Sequence, residues 1–170
     1  IHPMSKSQVY GDFAQKHALD TQDLDALASL KRAHETFFTD DDGQAMPFYA
    51  AYSMGDLIML DGQTHYHLEQ YEKALDSFSQ IVYLETLAIK IPASSERVRI
   101  EIINNATFAM LKQPKRDMEH VVKLWKAGVD GATALLSEQR FGEVQTAYDM
   151  MQAVWPGEKK IKDLKEQLKR

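Results

Sequence analysis

Over long stretches of this chain, apolar residues recur at i, i+3, i+4 and i+7, the spacing that gathers them on one face of an α-helix. No run alternates β-branched with polar residues, so strands are not expected. The pattern predicts eight helices. The first covers about Ser5 to Lys16. The second follows Asp20 as N-cap and runs through Leu24, Leu27, Leu30, Lys31 and His34 to Phe38. The segment Thr39-Asp40-Asp41-Asp42-Gly43 ends it, and Pro47 suits the first turn of a third helix reaching His67. The fourth is expected from Gln70 to Lys90. A break at Pro92-Ala93-Ser94-Ser95 follows, with Ser94 or Ser95 capping a fifth helix through Ile100, Ile103 and Met110. Pro114 opens a sixth that reaches about Leu136, the seventh spans about Glu138 to Val154, and Pro156 opens a last, highly charged helix with Ile161, Leu164 and Leu168 on one face. Short links make consecutive helices antiparallel neighbours, so eight helices give about four hairpins.

A spacing recurs along the chain. Tyr71-x2-Ala74-x3-Phe78-x2-Ile81, Met118-x2-Val121-x3-Trp125-x2-Gly128 and Phe141-x2-Val144-x3-Tyr148-x2-Met151 each place a large residue, a small or β-branched one, an aromatic, then a medium or small one. The first would plug a hairpin corner, the second admit a partner helix, and the aromatic fill the gap beneath the next hairpin. With Gly62 and His65 ahead of it, the first copy resembles the second half of a tetratricopeptide repeat. Gly62 stands at the small position where two helices cross, and His65 replaces an aromatic packing residue. Tyr71 and Met118 are 47 residues apart and Met118 and Phe141 only 23, against a usual period of about 34.

Ser95-Glu96-Arg97-Val98-Arg99-Ile100-Glu101-Ile102-Ile103-Asn104-Asn105, Lys115-Arg116-Asp117-Met118-Glu119, Ser137-Glu138-Gln139-Arg140-Phe141 and Trp155-Pro156-Gly157-Glu158 resemble the C-terminal tetratricopeptide region of bacterial helix-turn-helix (XRE-type) transcriptional regulators. No helix-turn-helix pattern is evident in the chain itself. The resemblance implies an all-α, right-handed α-solenoid of about four antiparallel hairpins over residues 5–170, one tetratricopeptide-like domain. It implies a cytoplasmic, non-catalytic module that binds a peptide or protein, as the regulatory part of such a regulator. The alternative is a free-standing scaffold or oligomerisation protein, homodimeric for instance, with no small ligand.

Composition narrows the choice. At 170 residues, 44% apolar and 26% charged, the chain belongs with globular domains rather than disordered ones. A net charge of −5 argues against nucleic-acid binding except through a separate domain. With no cysteine, thiol catalysis and Cys-based zinc sites are excluded. No apolar run approaches the roughly 20 residues of a membrane span. Ile1-His2-Pro3-Met4 reads as a tag or linker remnant rather than a signal peptide.

The chemistry-bearing candidates are few. His65 and His67 are two apart, so on a helix they point in different directions and cannot chelate together. Asp40-Asp41-Asp42-Gly43 matches only the start of a calcium loop, and a solvated turn fits it better. Glu69 and Glu72 lie on an exposed face, with nothing to set them up for acid–base work. No metal, cofactor or enzyme chemistry is expected. Tyr52, Asp56, Met59, Gln63 and Tyr66 form a mixed stripe on the third helix, the first of its hairpin, which in such repeats lines the concave face. Asn104 and Asn105 offer donors and acceptors that could hold an extended peptide, as asparagines do in tetratricopeptide receptors for signalling peptides; a buried amide tying helices together is the other reading. The expected packing residues are Gly62, His65, Tyr71, Ala74, Phe78, Met118, Trp125, Phe141 and Tyr148. The basic last helix is expected to be an end-cap with a polar outer face.

Overall fold

The computed structural model describes residues 3–37, 52–91 and 95–168. Among these the chain forms eight α-helices: α1 Pro3–Leu19, α2 Asp23–Phe37, α3 Met54–His67, α4 Tyr71–Ile81, α5 Glu96–Lys112, α6 Met118–Ala134, α7 Glu138–Val154 and α8 Lys159–Asp163. A 3-10 turn, Leu164–Leu168, extends α8. The expected acidic turn at residues 40–43, the opening at Pro47 and the break at 92–94 lie outside the described residues. The chain divides into two compact units, residues 1–78 and 79–170.

In the first unit α1 packs against both α2 and α3, and α2 also meets α3. Small residues make this close approach possible: Ala14 and Ala18 on α1 and Ala26 and Ala33 on α2 are buried. The Ser7 hydroxyl donates to the Ala33 carbonyl at 2.7 Å. Gly62 admits α4: a Cβ there would sit 2.3 Å from Cε1 of the fully buried Phe78 ring. Ser53 caps α3 in a reciprocal capping box with Asp56.

The second unit repeats the arrangement. There α5 touches α6 and α7, and α6 touches α7. Trp125, Val121 and Val129 of α6, Val144, Tyr148 and Met151 of α7 and Leu111 of α5 form one core. Ile161 and Leu164 close it from the C-terminal end while the lysines around them stay in solvent. Ser95, Asp117 and Ser137 cap α5, α6 and α7 through side-chain bonds to backbone N–H groups.

The boundaries depart from the sequence pattern at several places, α8 among them: it opens at Lys159, three residues after Pro156, and ends in the 3-10 turn. Asp20 does not cap α2, because it lies in the turn that closes α1, and α2 starts at Asp23. Of α3, the described helix begins at Met54. The sixth helix starts at Met118, four residues after Pro114. The largest departure is α4, which stops at Ile81 instead of Lys90. Beyond it the chain reverses: Val82 and Ile89 form an isolated antiparallel bridge, and Leu87 adopts φ 64°. Groups distant in sequence take the carbonyls of this reversal. His120 bonds the Leu84 carbonyl at 3.2 Å, Arg99 Nη1 donates to the Leu87 carbonyl at 3.0 Å, and Lys123 donates to that of Glu85.

Three helix–helix turns share one backbone. In each, a residue at positive φ follows the helix: Thr21 (58°), Glu69 (58°) and Leu136 (49°). The next residue's N–H bonds back to the fifth residue before it: Gln22 to His17 (2.8 Å), Gln70 to His65 (2.9 Å) and Ser137 to Ala132 (3.1 Å). These are Schellman closures, made here without glycine. In the first two a side-chain bond fastens the same residues, His17 Nδ1 to Gln22 Oε1 at 2.6 Å and His65 Nδ1 to Gln70 Oε1 at 3.0 Å. Ala14-x2-His17-x4-Gln22-x3-Ala26-x3-Leu30-x2-Ala33 and Gly62-x2-His65-x4-Gln70-x3-Ala74-x3-Phe78-x2-Ile81 therefore share one spacing around the same turn, 48 residues apart.

Candidate functional site

The stripe on α3 separates into two parts. Tyr52 is buried in the core with Ala33, Leu57 and Leu60, its ring edge-on to Phe37, and burial pushes its hydroxyl up to about 12. Asp56 is committed to the capping box. Met59, Gln63 and Tyr66 are half-buried and run along the side of α3 that its buried residues leave open. Gln63 accepts a hydrogen bond from Gln15 Nε2 at 3.0 Å, which joins the first helices of the two hairpins. The Tyr66 ring meets His67 and Tyr71 edge-on, with centroids 5.5 and 5.6 Å away. Burial pushes the Tyr66 hydroxyl up and the His67 imidazole down. The result is a short row of amide, thioether and phenol groups on a rigid helix.

Beside the row, three helices converge on Asp61. Its carboxylate accepts from Ser77 Oγ of α4 at 2.6 Å and faces His34 Nε2 of α2 at 3.3 Å and His65 Nε2 at 4.0 Å. The bond to Asp61 holds His34 above its ordinary value, against the opposing pull of partial burial. Burial alone would raise Asp61, but the bonds from His34 and Ser77, with His65 nearby, leave it below the carboxylate norm.

A raised histidine contributes its stability in full below its unfolded value of 6.5 and loses it as pH climbs through the folded value. The lowered carboxylate contributes above 3.8 and loses its share as pH falls through the folded value. The pair is therefore expected to hold α2 on α3 best between those two limits. Melting curves of the wild type and His34→Gln should differ most near about pH 5 and converge towards about pH 8. A difference independent of pH would contradict the assignment.

In the second unit Asn104 is buried, 2% exposed, between α5 and α7. Its Nδ2 donates to Glu143 Oε2 at 2.9 Å and, more weakly, to the Arg140 carbonyl at 3.4 Å. Its Oδ1 lies against α6, where a Cβ on Gly128 would come within 2.3 Å. The side chain thus ties helices together, the second of its two expected roles, and is not presented on an open surface. Asn105 is half-buried. Arg140 carries the rest of the network: Nη2 pairs with Glu101 Oε2 and Nη1 with Glu143 Oε1, each at 2.6 Å. Trp125 donates its indole N–H to the Val144 carbonyl at 2.7 Å.

All of the expected packing residues take part in packing or turn closure. Ala74, Phe78, Trp125 and Tyr148 are buried, Gly62 faces Phe78, and Tyr71, Met118 and Phe141 are half-buried at the same place in each motif copy. His65 differs in kind, acting as a polar latch on Gln70 and a neighbour of Asp61. Sequence reasoning missed Asp61, His34, Ser77 and Arg140, whose partners are distant in sequence. The His-x4-Gln repeat was a readable signal for the turn latches. Among the described residues no group of three or more His, Cys, Asp or Glu side chains is placed to hold a metal ion, and no helix is long and apolar enough to cross a membrane. No protein-family model, curated protein or solved structure matches the chain.

Proposed function

We propose that this chain is a non-catalytic binding module of tetratricopeptide-like hairpins that takes an extended peptide or protein segment along the first helices of its hairpins. One observation carries the reading: in each unit alternate helices touch directly, α1 with α3 and α5 with α7. Contact of a helix with both its neighbour and the next-but-one is what stacked hairpins require, and in such a stack it would set the first helices side by side. Met59, Gln63 and Tyr66 then supply an adaptable, part-polar strip of the kind that binds peptides. The resemblance of the second half to regulator repeats supports a regulatory role, in which peptide occupancy acts on dimerisation or DNA binding through a separate domain.

A displayed peptide library selected against the whole chain tests this. The selected peptide should bind saturably, and Met59→Ser and Tyr66→Ala should each weaken it on the order of tenfold or more without lowering the melting temperature much. A peptide that ignores both substitutions would remove the α3 row from the site. A second reading, a scaffold that associates through its own surface, is favoured by Val9 and Phe13, one turn apart on α1 and 47% and 48% exposed. A concentration-dependent dimer lost in Phe13→Ser would support that reading.

A further inference from the structure

We propose that the turn between α6 and α7 is a second docking surface, for a protein segment that carries an aliphatic or aromatic anchor between lysines or arginines. Three turns share one backbone, and each puts a side chain at positive φ, where a Cβ is strained. Thr21 and Glu69 are exposed and polar, as suits a solvated turn. Leu136, in the same position, is 90% exposed. It neither fits the left-handed conformation nor gains from burial, so folding alone gives no reason for a leucine there.

A groove of about 460 Å³ lies beside Leu136, with Ala132, Phe141 and Gly142 in its lining. Gly142 is a second local concession. It sits inside α7, where glycine costs roughly 1 kcal/mol relative to alanine, although a Cβ there would meet nothing within 4 Å. Its absent side chain keeps the groove open. Glu138 borders the groove, and Gln145 and Asp149 continue along the same side of α7. From residue 127 to 158 the only cation is Arg140, which is buried and committed to Glu101 and Glu143, so Glu138 and Asp149 set the sign of this side of α7. The two helix ends at the turn carry opposite partial charges, so the side chains set the sign. An apolar anchor with cationic flanks is the complement of this surface.

Fluorescence anisotropy of the full chain with three synthetic dodecapeptides tests the proposal: two leucines flanked by lysines, the same leucines flanked by glutamates, and the lysines with serines in place of leucines. The first should bind saturably and on the order of tenfold tighter than either twin, less so at high salt. Leu136→Gly, which relieves the strained turn, and Gly142→Gln, which fills the groove with a better helix former, should each weaken it on the order of tenfold with melting temperature kept or raised. Met59→Ser should leave this binding intact, which separates the surface from the α3 row. Equal affinity for the three peptides, binding unaffected by both turn variants, or no saturable binding of the lysine-flanked peptide would overturn the proposal.

Discussion

Trp125→Ala is expected to destabilise the second unit by about 3–5 kcal/mol, the range for deleting a buried aromatic where the site cannot collapse. The indole is fully buried among Leu111, Val121, Val144 and Met151, and its ring lies 6.0 Å from that of Tyr148. It also supplies a hydrogen bond from α6 to the α7 backbone. Trp125→Phe keeps most of the volume and loses the N–H, so its cost should be nearer 1–2 kcal/mol, roughly the value of one buried hydrogen bond plus a modest void. Urea unfolding followed by far-UV circular dichroism reads both. Equal losses would mean that the hydrogen bond, not the packing, governs this site.

Arg140→Ala is expected to cost about 3 kcal/mol, near the low end for removing one member of a buried ion pair, because both partners keep some contact with water. The arginine side chain is 4% exposed, while Glu101 and Glu143 are 18% and 24% exposed. Without the guanidinium the two carboxylates repel across the α5–α7 contact and Asn104 loses the arrangement that orders Glu143. Arg140→Met combined with Glu101→Gln and Glu143→Gln should recover most of the loss, since apolar and neutral replacement of a whole buried network is often nearly neutral. A triple variant as unstable as Arg140→Ala would show that packing volume, rather than uncompensated charge, sets the cost.

Where local signals act alone, the chain could be read directly. The serine cap at Ser95, the span Glu138–Val154 and the closure at Trp155-Pro156 follow from capping chemistry and helical period, and so do the buried aromatics of the recurring motif. The end of α4 was not legible, because His120, Lys123 and Arg99 take the carbonyls of Leu84, Glu85 and Leu87 from other helices. The same holds for Asn104, whose character depends on Glu143 and Gly128, and for Asp61, which draws on α2 and α4. Tyr52 shows the limit of a periodic stripe: spacing places it with Met59 and Gln63, but it precedes Met54, and the turn into the helix carries its ring into the core. The shared turn closure was present in the sequence as a His-x4-Gln spacing, hidden because an aromatic follows the glutamine in one case and an aspartate in the other.

Hydrogen–deuterium exchange of the whole chain, with and without a saturating library-selected peptide, is the most direct measurement of whether the helical hairpins form a binding face. Slowed exchange is expected along residues 54–67 of α3 and the neighbouring part of α1, with the peptide recovered intact. Exchange unchanged in α3 under saturation, or a peptide chemically altered by the chain, would contradict a non-catalytic module that binds along its first helices.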